Sequence, residues 1–155
     1  MTIGPDSTVA DAKAWLKARL KDGAPCPVCT QRAQTYRRRI NAGAFRGLAH
    51  AYRTYGTQTD FHAPDSLARL GGEWARLALW GFIVDTGRAR DDGGRGGWWR
   101  VTGRGERFLL GQQTAPKYVF LFDGRVMGWS EEQVSASECV GHGFDLRELL
   151  GQVAA

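Results

Sequence analysis

The segment from Gly71 to Gly111 constrains the fold of this 155-residue chain more than any other part of it. It reads GGEWARLALWGFIVDTGRARDDGGRGGWWRVTGRGERFLLG. Five elements are predicted within it. The prediction uses the spacing of apolar residues, the strand-forming runs, the glycine clusters and a threonine cap. These are helix 73–81, strand 82–86, a loop of Gly, Arg and Asp at 87–97 that we call the arginine loop, strand 98–101, and a helix that begins after Thr102.

A second short helix is predicted directly upstream of this segment. Pro64 suits its first turn, Leu67 and Leu70 are its core residues, and Gly71-Gly72 forms a tight turn before helix 73–81. Two short helices around a glycine turn make a helix-turn-helix. The order helix, strand, glycine-rich loop, strand, helix is that of a winged helix-turn-helix, in which the arginine loop is the wing. The sequence therefore predicts an α+β fold: a winged helix-turn-helix with N-terminal helices and a C-terminal β-hairpin unit.

The start of the last helix carries a pattern of aromatic-x-Val-Thr-x-x-Gly, as Trp99-Arg100-Val101-Thr102-Gly103-Arg104-Gly105. With this pattern, the region 44–111 resembles the winged-helix regulators of the MarR and PadR type, in which such a stretch leads from the wing into the next helix. The resemblance covers under half of the chain. It implies binding to duplex DNA, as a small transcriptional regulator or accessory factor. The chain also resembles small uncharacterised bacteriophage proteins, a likeness that carries no known activity.

The N-terminal part is predicted to hold three helices. Thr8, with Asp11 three residues later, marks the start of helix 8–22, which Gly23 ends. A second helix is predicted over 30–42, with three arginines outward. A third is predicted over 44–55, where apolar residues recur at spacings of three and four.

The C-terminal part is predicted to be a separate unit that follows Pro116. Asp123-Gly124 is a strong hairpin signal between strands 117–122 and 125–129, and a closing helix is predicted over 144–150 with Asp145 as its cap. The predicted organisation is 1–43 for the N-terminal helices, 44–112 for the winged helix, and 113–155 for the hairpin and helix.

The net charge of +5 is unevenly distributed. Residues 30–59 hold six arginines and no acid, whereas acids predominate over 123–148. A basic face of this kind fits a polyanion, although a solvated surface or docking between the two ends of the chain also fits. The predicted DNA contacts are Arg69 and Arg76 near the major groove, Arg88, Arg90 and Arg95 on the wing, and Arg37 and Arg39 at remote phosphates.

The apolar character of helix 73–80 favours a rival interpretation. Outside the expected core positions, only Glu73 and Arg76 are charged, whereas a helix that reads bases shows several polar or basic side chains. The rival is a protein-interaction module, such as a phage-like factor that binds and redirects a host protein. Its predicted surface is the face formed by Trp74, Ala78 and Leu79.

Two cysteines, in Cys26-Pro27-Val28-Cys29, have the spacing of a zinc knuckle. A structural zinc ion needs four ligands, and Cys139 and His142 repeat the two-residue gap, so one Cys₃His zinc site is predicted. His50 and His62 are alternative ligands. The alternative to a metal is a pair of reduced cysteines in a turn. A thioredoxin-like role is disfavoured because no βαβ pattern surrounds the motif.

Several classes of function are not expected from the sequence. No stretch approaches the roughly 20 apolar residues of a membrane helix, and residues 1–13 lack the pattern of a signal peptide, so a cytoplasmic protein is expected. No phosphate-binding glycine loop follows a strand, and no nucleophile has an evident base, so an enzyme is not expected. The oligomeric state stays open, with a homodimer among the alternatives.

Overall fold

A computed structural model describes residues 2–63, 72–89, 91–93 and 96–151 and has a mixed α+β fold. Contacts group the chain into two compact units. Unit 1 comprises Met1–Arg38 and Val119–Trp129, and unit 2 comprises Arg39–Tyr118 and Ser130–Ala155. The division into three segments, 1–43, 44–112 and 113–155, stays a prediction.

The helices and strands, numbered in chain order, have the following bounds. They are α1 (Val9–Lys17), β1 (Ala24–Pro25), β2 (Arg32–Ala33), β3 (Tyr36–Arg39), α2 (Ala42–Tyr55), β4 (Phe61–His62), a 3₁₀ helix (Gly72–Ala78), β5 (Ile83–Asp85), β6 (Trp98–Val101), α3 (Gly103–Leu109), β7 (Ala115–Pro116), β8 (Tyr118–Phe122), β9 (Arg125–Trp129), β10 (Gln133–Val134), α4 (Ala136–Cys139) and α5 (Leu146–Leu149).

Unit 1 begins with the predicted capped helix. Thr8 and Asp11 form a reciprocal capping box, in which each side chain accepts the other residue's backbone N–H. The helix ends at Lys17, earlier than predicted, and turns continue to Gly23, whose φ of 80° is a conformation that glycine adopts readily.

The helix predicted over 30–42 is wrong, because this stretch is extended. β2 pairs antiparallel with β1, and β3 pairs with β8. Thr35 adds a backbone N–H and a hydroxyl that both donate to the carbonyl of Leu20. Pairing with distant strands therefore overrides the local helix preference of a segment rich in Arg, Ala and Gln.

The hairpin of unit 1 follows the prediction. β8 pairs antiparallel with β9, and Asp123-Gly124 connects them with φ values of 50° and 69°. Two positive φ values are the signature of a type I′ turn, which matches the twist of the flanking strands. The sheet order is β3-β8-β9, so β9 lies at an edge.

Unit 2 is built around the predicted helix α2. Asn41 caps it by accepting N–H groups of Gly43 and Ala44 at 2.8 and 3.3 Å. The apolar face of α2 is buried and packs against the 3₁₀ helix and α3. At the centre, Phe108 stacks on Phe82 with ring centroids 4.5 Å apart, and its ring also meets the ring of Phe45 edge-on at 6.0 Å.

The segment predicted as a helix-turn-helix differs in part from the expectation. The helix predicted over 64–70 lies outside the described residues. The helix predicted over 73–81 is a 3₁₀ helix over Gly72–Ala78, which places residues three apart on one side. Leu77 on this helix and Trp80 in the turn after it are both buried as predicted, and the Trp80 indole N–H donates to the carbonyl of Pro116 at 2.7 Å.

Both predicted strands around the arginine loop are confirmed. β5 pairs antiparallel with β6, with Ile83 opposite Val101. β4, which the sequence analysis did not predict, pairs with the other edge of β6, with Phe61 opposite Trp99. The resulting three-stranded sheet has the order β4-β6-β5.

The helix predicted after Thr102 is confirmed as α3, and its start is tied to the residues just before β5. The Thr102 hydroxyl accepts the N–H of Gly105 at 3.0 Å and donates to the carbonyl of Gly81. The backbone N–H of Thr102 donates to the carbonyl of Phe82 at 3.0 Å. Gly105 is buried directly against the backbone of Phe82, so α3 closely approaches the segment that leads into β5.

The C-terminal part of unit 2 consists of short elements. β7 pairs with β10, and Ser135 with Glu138 forms a capping box at the start of α4. Asp145 caps α5 as predicted, by accepting the N–H of Glu148 at 3.0 Å. Among the described residues, no helix is long and apolar enough to cross a membrane.

Candidate functional site

The arginine loop joins β5 and β6 in unit 2. The chain enters it through Thr86, whose N–H donates to the carbonyl of Trp98 at 3.1 Å. The Arg88 guanidinium then lies 3.8 Å above the ring of Trp98. This cation–π contact holds Arg88 at the base of the loop while its N–H donors stay near the plane of the guanidinium. The other two predicted contacts of the loop, Arg90 and Arg95, lie outside the described residues.

The two tryptophans of β6 contact different neighbours. The Trp98 ring lies 5.3 Å from the His62 ring, and the Trp99 ring meets the Trp74 ring edge-on at 5.1 Å. Adjacent residues of a strand point to opposite faces of the sheet, which explains the separate partners. Both tryptophans are half-buried, so they anchor the sheet and still reach its surface.

Two further arginines near the sheet are engaged within the protein. Arg100 on β6 makes an ion pair with Asp60, with its Nη2 2.6 Å and its Nε 2.7 Å from one carboxylate oxygen. Arg104 on α3 donates from Nε to the carbonyl of Trp80 at 2.8 Å. The first contact links β6 to the residue before β4, and the second links α3 to the turn before β5, so both cations have structural roles.

The residues predicted near a major groove are described only in part. Arg69 lies outside the described residues. Arg76, on the 3₁₀ helix, is exposed and pairs with Glu73 at 2.8 Å. The predicted protein-binding face is less open than expected, because Trp74, Ala78 and Leu79 are all half-buried.

Arg37 and Arg39, the predicted remote phosphate contacts, lie on β3 and are both exposed. The sequence analysis placed them on a helix, and this correction changes their directions. Alternate residues of a strand share a face, so Arg37 and Arg39 share one and Arg38 takes the other. Arg39 also lines a cleft of about 480 Å³ in unit 2, together with Asn41 and Lys117.

Positive charge is distributed unequally between the units. Unit 1 contains eight Lys or Arg and four Asp, whereas unit 2 contains thirteen Lys or Arg and twelve Asp or Glu. Net charge is therefore concentrated in unit 1. In unit 2, attraction for a polyanion depends on where individual arginines are placed, and the arginine loop holds three of them together with Asp91 and Asp92.

The Cys26–Cys29 motif forms the turn of the β1–β2 hairpin in unit 1. The N–H of Cys26 donates to the carbonyl of Gln31 at 2.8 Å, and the N–H of Thr30 donates back to the carbonyl of Cys26 at 2.9 Å. Thr30 has a φ of 63°, a left-handed conformation that bends the chain sharply after Cys29. Cys29 is exposed, and Cys26 is half-buried.

Hydrogen bonds to sulfur distinguish Cys26. Its Sγ accepts the backbone N–H groups of Cys29 and Val28, and the Cys29 thiol donates to it as well. These donors lower the pKa of the Cys26 thiol, with the Cys29 N–H having the largest effect. The two sulfur atoms therefore lie together on one side of the turn, where they are suited to bind a thiophilic metal ion.

The other two predicted metal ligands lie in unit 2. Cys139 is buried at the end of α4, and burial, with a smaller effect of Glu138, raises its pKa to about 11. His142 is exposed. Within the described ranges, no group of three or more His, Cys, Asp or Glu is arranged to hold a metal ion, and the four-ligand zinc site stays a prediction.

The sequence analysis missed three features near the candidate sites: the Asp60–Arg100 pair, the Tyr52–Glu106 pair and the β1–β2 hairpin. The Asp60–Arg100 pair links residues 40 apart in sequence, and the Tyr52 hydroxyl donates to the Glu106 carboxylate across two helices. Burial first, and then this carboxylate, raises the pKa of Tyr52. No pattern of neighbouring residues in the sequence predicts such long-range pairs. The β1–β2 hairpin, by contrast, had a local signal, since a CxxC knuckle is commonly the turn of a hairpin.

The chain matches no protein-family model, no curated protein and no solved structure. Functional assignment therefore rests on the geometry described above.

Proposed function

We propose that unit 2 is a winged helix-turn-helix that binds duplex DNA, as a small transcriptional regulator or accessory factor. The observation that carries the proposal is the sheet order β4-β6-β5. In a winged helix, the strand after the first helix pairs with the returning strand of the hairpin, and the hairpin loop is the wing. Here β4 follows α2, and β6 returns from the arginine loop, which matches that connectivity.

In this proposal the arginine loop lies along the DNA backbone. Arg88 is held above Trp98 and directs its donors to a phosphate, and Arg90 and Arg95 supply two further charges. Stacking on an aromatic ring restricts the arginine before it binds, which reduces the entropy lost on contact. Arg100, paired with Asp60, supports the strand and is not among the proposed contacts.

The helical contacts have a smaller proposed role. Arg76 and Arg69 lie near the major groove, and Arg37 and Arg39 reach remote phosphates. Releasing Arg76 from its exposed partner Glu73 costs little, since such pairs contribute about 0–1 kcal/mol. Because the 3₁₀ helix has few polar side chains, we expect phosphate contacts to dominate and base reading to be weak.

The test is the salt dependence of binding to a fluorescent duplex, measured by anisotropy with the full chain. Each neutralised phosphate contributes about −0.9 to the slope of log K against log salt. Replacing Arg88, Arg90 and Arg95 together with glutamine should weaken binding to all sequences alike and flatten the slope by about two to three. Arg76→Gln should instead change any sequence preference.

A matched control removes the same charge from unit 1. Lys13, Lys17 and Arg125 are exposed, and their joint replacement with glutamine should leave most of the slope intact. If the control flattened the slope of log K against log salt more than the loop variant does, that result would contradict the proposed interface. Absence of binding by the wild-type chain at low salt would refute DNA binding altogether.

The edge strand β9 of unit 1 supports a second candidate function, binding to a partner protein. Val126, Met127 and Trp129 are large apolar side chains on this strand, and all are exposed. An exposed edge strand with apolar side chains is a surface on which another chain can add a strand. This surface replaces the half-buried face of Trp74, Ala78 and Leu79 as the proposed partner site.

Charge indicates the chemistry of such a partner. Beside β9 lies a cleft of about 430 Å³, lined by Lys13, Lys17 and Arg125 together with Leu16 and Met127. An extended acidic peptide with apolar side chains fits it. Val126→Lys with Met127→Lys should abolish capture of such a partner and leave DNA affinity equal or higher, whereas the arginine-loop variant should do the reverse. Equal capture by both variants would refute the β9 surface.

A further inference from the structure

The cysteine knuckle, residues 26–30 at the tip of the β1–β2 hairpin, is built like one half of a metal site. Its two sulfur atoms lie together, and the Cys26 sulfur accepts N–H groups from Cys29 and Val28. In metal sites, hydrogen bonds of this kind orient thiolate ligands and lower their negative charge. The hairpin hydrogen bonds at 2.8 and 2.9 Å fix the turn before any metal is bound, so little ordering is required of it.

The half-site lacks further ligands from its own surroundings. A structural zinc ion takes four ligands in a tetrahedron, and the knuckle supplies two. Unit 1 contains no histidine and no cysteine besides this pair. The third cysteine, Cys139, belongs to unit 2, where it is 7% exposed.

The knuckle is exposed, so ligands from another molecule can reach it. Cys29 is exposed, and Val28, between the two cysteines, is 74% exposed. An apolar side chain in that position loses contact with water if a second surface closes over the tip. Thr30, in a left-handed conformation, bends the chain sharply after Cys29.

We propose that the knuckle binds zinc between two copies of this chain, with Cys26 and Cys29 of each copy completing one Cys₄ tetrahedron. A second copy is the simplest donor, because it offers two thiolates in the same prearranged geometry. Two identical half-sites related by a two-fold axis form a closed, isologous contact. The Val28 side chains of the two copies then meet beside the metal.

The test uses the full wild-type chain, stripped of metal under a thiol-free reductant and then titrated with zinc. Sedimentation and metal analysis should give a monomer without zinc and a dimer with one zinc ion per two chains. Cobalt in place of zinc should give the absorption of a tetrahedral thiolate site. One metal ion per monomeric chain, or a dimer that forms equally well without metal, would overturn the proposal.

Variants separate this site from a site within one chain. Cys26→Ser and Cys29→Ser should each abolish zinc-dependent dimerisation, with circular dichroism as the check that they fold. Cys139→Ala and His142→Ala should leave both the dimer and the metal ratio unchanged. Loss of metal in the latter pair would show that they complete the site, and would also overturn the proposal. Absence of zinc uptake by the fully reduced wild-type protein would do the same.

Discussion

Gly105 is the position at which a single added methyl group should reveal how α3 is held. A Cβ atom there would lie 3.1 Å from the carbonyl carbon of Phe82 and 3.2 Å from its Cα, and closer still to its carbonyl oxygen. These are backbone atoms, so no change of rotamer relieves the overlap. Overpacking of this kind costs about 1–3 kcal/mol or more, whereas alanine in a helix gains up to about 1 kcal/mol over glycine. We expect Gly105→Ala to lower the free energy of unfolding by about 2 kcal/mol.

Gly103 provides the matched control two residues earlier in the same helix. A Cβ there would meet only the Nη1 atom of Arg107 at 3.3 Å, the flexible end of an exposed side chain. Gly103→Ala should therefore be neutral or stabilise by up to about 1 kcal/mol. Urea unfolding and thermal melting of both variants measure the difference, for which about 2 kcal/mol corresponds to roughly 4–8 °C in Tm. A Gly105→Ala variant as stable as Gly103→Ala would refute the close contact with Phe82.

The remaining predictions concern Thr102, Trp80 and Cys139. Thr102→Ala loses two hydroxyl hydrogen bonds and should lower the free energy of unfolding by about 1–2 kcal/mol. Thr102→Ser keeps both bonds and should retain most of that stability. Equal destabilisation of the two variants in urea unfolding would contradict this reasoning. Trp80→Ala should cost about 3–5 kcal/mol, and an effect below about 1 kcal/mol would mean that the indole is not buried. Burial raises the Cys139 pKa from the ordinary thiol value of 9.0 to about 11 in the folded protein, so its stabilising contribution is complete below pH 9 and is lost as pH rises towards 11. The wild-type chain should thus lose about 2 kcal/mol more than Cys139→Ala between pH 7.5 and 10.5, and identical losses would contradict this reasoning.

Elements with a strong local signal were predictable from sequence. The capping box at Thr8, the Asp123-Gly124 turn and the Thr102 cap each depend on side chains within three residues, so their geometry follows from short stretches. The periodicity of α2 was equally reliable, because it covers 14 residues and buries one continuous face.

Elements that depend on distant partners were not predictable. The segment 30–42 carries helix-forming residues, yet it is extended because β1 and β8 supply hydrogen-bonding partners that no local pattern shows. β4 has only two residues, and its pairing with β6 joins positions far apart in sequence. For the candidate site, this means that the side-chain directions of Arg37 and Arg39 had to come from the structure.

The two proposals depend on separate parts of the chain and can fail separately. DNA binding depends on the sheet order β4-β6-β5 and the arginine loop of unit 2, whereas zinc binding depends on the knuckle of unit 1. If both hold, a zinc-bridged dimer carries two arginine loops on one assembly. The second loop then binds at an effective concentration set by the linkage, so affinity for long DNA should rise on zinc addition without any new contact. The Cys29→Ser variant should lose this gain and keep the affinity of the single chain. A zinc effect that persists in Cys29→Ser would refute the coupling and leave each proposal to its own test.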